Sequence, residues 1–88
     1  MDVFIYFPPN LGLARDQIED ALEEALAEVA EVTGGGTGNA GSNVDLVFDD
    51  RVPTEKALDI IRTALKTLRI PTAKIVMNGR EYPLETQE

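Results

Sequence analysis

The chain has 88 residues, 43% of them apolar and 27% charged, the balance of one folded domain rather than of a disordered polymer. Sixteen acids against eight bases leave a net charge of -8, a field that repels a phosphate backbone and suits either a cationic partner or plain solubility. Neither cysteine nor histidine is present, which excludes disulfides, thiol nucleophiles, soft-metal sites and an imidazole general base.

Asp2 to Phe7 is a short β-rich run with two faces, Val3, Ile5, Phe7 and Asp2, Phe4, Tyr6, ended by Pro8-Pro9, which cannot donate to a ladder. It is too short, and lacks the basic start, for a secretory leader. No stretch approaches the ~20 apolar residues of a membrane span. Together with the missing cysteines this reads as a cytoplasmic protein with no membrane contact. Pro8 to Leu13 is a loop in which Asn10 and Gly12 form turns.

From about Ala14 to Glu28 the spacing predicts an amphipathic helix, its apolar stripe made by Ile18, Leu22, Ala25, Leu26 and Val29. The opposite face carries Asp16, Glu19, Asp20, Glu23 and Glu24, either simply solvated or available to a basic partner. Ala30 to Thr33 form a second strand that runs into Gly34, Gly35, Gly36, Gly38 and Gly41. Gly36, Gly38 and Gly41 spell G-x-G-x-x-G, yet that fingerprint needs a helix after it, and here alternating β-rich residues follow. The glycines are expected to form a long flexible hairpin connection. A backbone anion nest built from the same residues is the alternative.

Val44 to Asp49 make the third strand, with Val44, Leu46, Phe48 on one face and Asp45, Val47, Asp49 on the other. Asp49-Asp50-Arg51 turns the chain, with Asp50 available to cap the helix that opens at Pro53-Thr54-Glu55. Ala57, Leu58, Ile61, Leu65 and Leu68 form the buried stripe of this second helix, and Pro71 stops it. Lys74 to Met77 and Arg80 to Leu84 flank Asn78-Gly79, a strong two-residue hairpin signal, and Pro83 marks the returning strand as an edge. Residues 1–84 form the single domain and 85–88 a frayed tail.

The order strand, helix, strand, strand, helix, strand predicts an α+β fold, a ferredoxin-like βαββαβ two-layer sandwich with an antiparallel sheet and a C-terminal β-hairpin. The first and third strands are expected at the centre, parallel to each other, with both helices on one face. The other face then carries Phe4, Tyr6, Asp45, Val47, Asp49, Lys74 and Val76. Two aromatics on a central strand suit base stacking, but their neighbours are acids rather than cations, which excludes RNA. The face is left to protein contact, or to cover by the C-terminal ribbon.

Carboxylates are the abundant reactive groups. Asp45, Asp49 and Asp50 lack the spacing of a calcium loop, and a chain this small offers no sugar cleft for paired acids. The expectation is no enzyme, no metal and no cofactor.

Glu31-Val32-Thr33-Gly34-Gly35-Gly36-Thr37-Gly38, then Asn43-Val44-Asp45-Leu46, then Ala57-Leu58-Asp59-Ile60-Ile61-Arg62 resemble small acidic bacterial proteins of uncharacterised activity. In that set a Gly-rich hairpin precedes an alternating strand and an A-L-x-x-I-R helix. The resemblance spans roughly residues 28–70, implies the ferredoxin-like fold and a bacterial source, and carries over no functional residue. Two functions remain. One is an interaction module that binds itself or a basic protein, as an immunity or inhibitor protein does, through Phe4, Tyr6, Asp45, Val47 and Asp49 or the acidic helix face. The other is a regulatory domain that holds a small molecule or anion at Gly34, Gly35, Gly36, Gly38 and Gly41.

Overall fold

The elements run β1 (Asp2–Phe7), α1 (Arg15–Leu26), β2 (Ala30–Gly38), β3 (Gly41–Phe48), α2 (Thr54–Thr67), β4 (Lys74–Met77) and β5 (Arg80–Pro83), in a computed structural model that describes residues 1–9, 15–38 and 41–84. The fold is α+β, with one antiparallel sheet ordered β2-β3-β1-β4-β5. β1 lies between β3 and β4, as expected for a central strand. Its pairing with β3 is antiparallel, not parallel: Val3 faces Leu46 and Ile5 faces Val44. The reason is topological. α1 carries the chain back so that β2 runs in the direction of β1, and β3, antiparallel to β2, then runs against both.

Alternation along the strands decides the core. Val3, Ile5 and Phe7 of β1, Val44, Leu46 and Phe48 of β3, and Ile75 and Met77 of β4 all bury the same sheet face. Ile18, Leu22 and Leu26 of α1 and Ala57, Leu58, Ile61, Ala64 and Leu65 of α2 join them in one apolar cluster. Both helices therefore pack against one face of the sheet, and each fully buried aliphatic side chain contributes about 1.5–3 kcal/mol. The helical stripes differ slightly from their sequence reading. Ala25 is exposed on the flank of α1, Leu68 is half-buried at the end of α2, and Ala64 takes the inner position instead. Among the described residues no polar or charged side chain is buried, and no helix is long and apolar enough to cross a membrane.

The ends of α2 show how local chemistry sets the boundaries. Pro53 precedes the first turn with extended dihedrals and no side-chain cap. At the other end Arg69 adopts φ 59°. The Ile70 N–H donates to the Leu65 carbonyl at 3.1 Å and the Arg69 N–H to the Lys66 carbonyl at 2.9 Å. These are the paired bonds of a Schellman motif, here with arginine rather than glycine in the left-handed position. Ile70 is buried beside that turn and ties the helix end to the core. The hairpin between β4 and β5 has Asn78 at φ 53° and Gly79 at φ 75°, the two left-handed residues of a type I′ turn.

The glycine segment departs from expectation. β2 does not end at Thr33; it continues to Gly38, and Gly34, Gly35, Gly36 and Gly38 pair with Asp45, Val44, Asn43 and Gly41 of β3. A ladder bonds backbone to backbone and needs no side chain, so β3, which begins at Gly41 rather than Val44, supplies partners through the glycines. One register shift, between Val32 and Gly34, marks a bulge. What reads as a loop in the sequence is strand. The expected turn at Asn10 and Gly12, the helical start at Ala14 and the tail 85–88 lie outside the described residues.

Candidate interaction surface

The sheet face opposite the helices is built from three rows of cross-strand neighbours. Glu31, Val47 and Asp2 make the first. Gly34, Asp45, Phe4, Val76 and Glu81 make the second, and Gly36, Asn43, Tyr6, Lys74 and Pro83 the third. Phe4, Tyr6 and Val47 are 37%, 45% and 38% exposed, and they are the exposed large hydrophobics of the described residues. All three lie on this one face. The β4–β5 ribbon extends the sheet sideways beyond β1 and, by pairing in plane, does not fold over the aromatics.

Polar groups surround this apolar centre. Asn43 Nδ2 donates to Asp45 Oδ1 at 2.9 Å, and the Thr33 hydroxyl donates to the Asp45 carbonyl at 3.3 Å. Lys74 Nζ stands 3.6 Å from Glu81 Oε1, an exposed pair across the hairpin. The rim therefore carries Asp2, Glu31, Asp45 and Glu81 against one lysine that already faces a carboxylate. An open cleft of ≈ 580 Å³ continues the surface past Tyr6, between Pro8, Lys74, Glu81 and Pro83.

Asp49 does not share the position of Asp45 and Val47. β3 ends at Phe48, and the Asp49 N–H donates to the Val29 carbonyl at 2.8 Å. Its carboxylate accepts from the Arg51 backbone N–H at 2.9 Å, from Arg51 Nε at 3.1 Å and from Arg51 Nη2 at 2.8 Å. These side-chain bonds, then the backbone bond, hold the Asp49 carboxyl well below its ordinary range, and the same carboxylate raises the Arg51 guanidinium. Asp49 is thus the turn former that the sequence assigned to the Asp49-Asp50-Arg51 stretch. Asp50 makes no cap for α2; its Oδ1 accepts from the Met1 ammonium at 3.1 Å.

The glycines are not gathered into a nest. Extended pairing turns successive N–H groups to opposite sides, whereas a nest needs successive groups aimed at one point. Gly41 has its own reason to be glycine: φ is +129°, and a Cβ there would lie 2.1 Å from the Phe7 carbonyl oxygen. Among the described residues no group of three or more acids converges as a metal site would. Asp2 belongs to this face by the same alternation that places Phe4 and Tyr6 there. Asn43 and Glu31 join it through the β2–β3 register, which the glycines conceal in the sequence.

A second concavity, ≈ 670 Å³, lies between the helices on the opposite side of the molecule, lined by Ala21, Ala25, Ile60, Ala64 and Leu68 with Glu24 and Asp59 on its banks. Comparison with family models, curated proteins and solved structures gives no match.

Proposed function

We propose that this chain is a non-enzymatic interaction module, a ferredoxin-like two-layer sandwich extended by β5, whose open sheet face docks a basic protein. The strand order β2-β3-β1-β4, with a helix after β1 and another after β3, supports the sandwich reading. The observation that carries the function is the gathering of Phe4, Tyr6 and Val47 on one face that the described residues leave exposed. An apolar centre inside a polar rim is the anatomy of a protein contact, and aromatic residues dominate the binding energy of such surfaces.

Charge selects the partner. The rim is acidic, and the whole chain carries -8, so a basic surface is attracted and steered toward it. A second copy brings the same acidic rim and the same charge of -8, and this like charge opposes self-association.

The test has two parts. Light scattering coupled to size exclusion is expected to give a monomer at low and at high salt. Capture of a basic protein from the source cell is expected to fail for Phe4→Ala/Tyr6→Ala and for Asp45→Lys. Capture that both variants retain unchanged would refute the surface, and a salt-resistant dimer would refute the choice of partner.

A further inference from the structure

The two edges of the sheet are unlike. β5, at one edge, has four residues. Its Pro83 has no N–H to offer, and the Pro83 carbonyl accepts from Arg62 Nε at 3.2 Å and Nη2 at 2.9 Å. That edge is blocked by the devices that proteins use against unwanted pairing. β2, at the other edge, has nine residues, with neither proline nor lysine among them. Among the described residues no strand lies beyond it, so every second residue turns an unpaired N–H and C=O outward.

The acceptors behind β2 point across it. Asp45 Oδ2 lies 3.6 Å from the place a Cβ would occupy on Gly34, and Asn43 Oδ1 lies 3.4 Å from the corresponding place on Gly36. The bond from Asn43 Nδ2 to Asp45 Oδ1 fixes which atoms are left over. Among the described residues Asp45 Oδ2 and Asn43 Oδ1 receive no hydrogen bond. Both are acceptors, both sit above a glycine, and they are two residues apart on one strand. Side chains at positions 34 and 36 would fill this space; the glycines leave it open from the edge.

We propose that the β2 edge receives an extended segment of the basic partner as an added strand, with Lys or Arg side chains two residues apart crossing Gly34 and Gly36 to reach Asp45 and Asn43. An added strand lies about 4.8 Å outside β2, within the reach of a lysine or arginine side chain to the Asp45 carboxylate. Main-chain bonds supply affinity in this mode and alternate side chains supply selectivity. The inference rests on the basic partner proposed above and assigns the place where its chain enters: the row Gly34, Asp45, Phe4 leads from the edge directly onto the open face.

The experiment titrates the full chain, ¹⁵N-labelled, with an acetylated and amidated peptide that carries lysines two residues apart among threonines and valines. The expected result is amide shifts centred on Gly34, Gly35 and Gly36 and exchange there slowed about tenfold or more. Asp45→Asn is expected to weaken binding about two- to fivefold, while glutamates in place of the lysines, or a proline between them, abolish it. Shifts confined to the acidic residues of α1, or none at β2, would overturn the proposal. So would protection of β2 that grows with protein concentration alone, because it names a second copy as the occupant. Shifts at Phe4 and Tyr6 without β2 would overturn the edge and leave the sheet-face reading standing. Shifts at β2, with partner capture unaffected by Phe4→Ala/Tyr6→Ala, would do the reverse.

Discussion

Gly41→Ala tests the most exacting feature of the fold, the close approach of β3 to β1. The position has φ +129°, and the added Cβ would meet the Phe7 carbonyl oxygen at 2.1 Å, the Phe7 carbonyl carbon at 3.2 Å and the Pro8 carbonyl carbon at 3.3 Å. The backbone conformation alone costs a non-glycine residue about 1–3 kcal/mol. The clash is with main chain, so no rotamer change relieves it. One strand must move by about an ångström, which opens the neighbouring Phe7–Ser42 pair and loses a further ~1 kcal/mol of hydrogen bonding. The expected loss is about 3 kcal/mol, or a Tm lowered by roughly 12–24 °C in a domain of this size. Gly38→Ala is the matched control, since Gly38 pairs with Gly41 but has nothing within 4 Å of its added Cβ. It is expected to stay within about 0.5 kcal/mol of the parent. Urea and thermal unfolding followed by circular dichroism measure both. Equal costs at the two positions, or a Gly41→Ala protein as stable as the parent, would refute the reasoning.

Three further outcomes follow from named contacts. Arg69→Gly relieves a left-handed residue that is not glycine, and is expected to raise stability by about 1 kcal/mol in a urea midpoint measurement. Ile61→Ala empties a fully buried site at the centre of α2 and is expected to cost about 2–5 kcal/mol by the same assay. Asp49 has a folded pKa below its ordinary value of 3.8 because Arg51 bonds its carboxylate. Its contribution is therefore complete above that value and is lost as pH falls from there through the depressed folded value. Asp49→Asn is expected to flatten the acid limb of the stability curve below about pH 4, and an NMR titration should place the Asp49 midpoint below its ordinary value of 3.8. Because the pair is exposed, salt should shrink the difference.

Much of the molecule is legible in the order of its residues. The alternation of Val3, Ile5, Phe7 and of Val44, Leu46, Phe48 names the buried face of each strand, because side chains two apart point the same way. Ile18, Leu22 and Leu26 name the inner side of α1 for the equivalent helical reason. Asn78-Gly79 encodes its turn in two residues, since both must take positive φ. The aromatic half of the candidate surface was readable too: once Val3 and Ile5 face inward, Phe4 and Tyr6 must face outward. These are local or periodic signals, which a chain carries before it folds.

Pairing is not such a signal. Gly34 to Gly38 have the composition of a loop and become strand because β3 lies beside them with unpaired backbone groups. Nothing in their own sequence distinguishes a glycine that turns from one that pairs. The antiparallel setting of β1 and β3, the diversion of Asp49 to Arg51, and the placing of Asn43 and Asp45 above two glycines all depend on which strands become neighbours. So does the difference between a blocked β5 edge and an open β2 edge. Hydrophobic period and turn chemistry act within a few residues, so the order of residues names most of the core and the place of most elements. The register, and with it the surface offered to a partner, comes from packing alone, because backbone hydrogen bonds between strands are blind to the side chains by which a sequence is read.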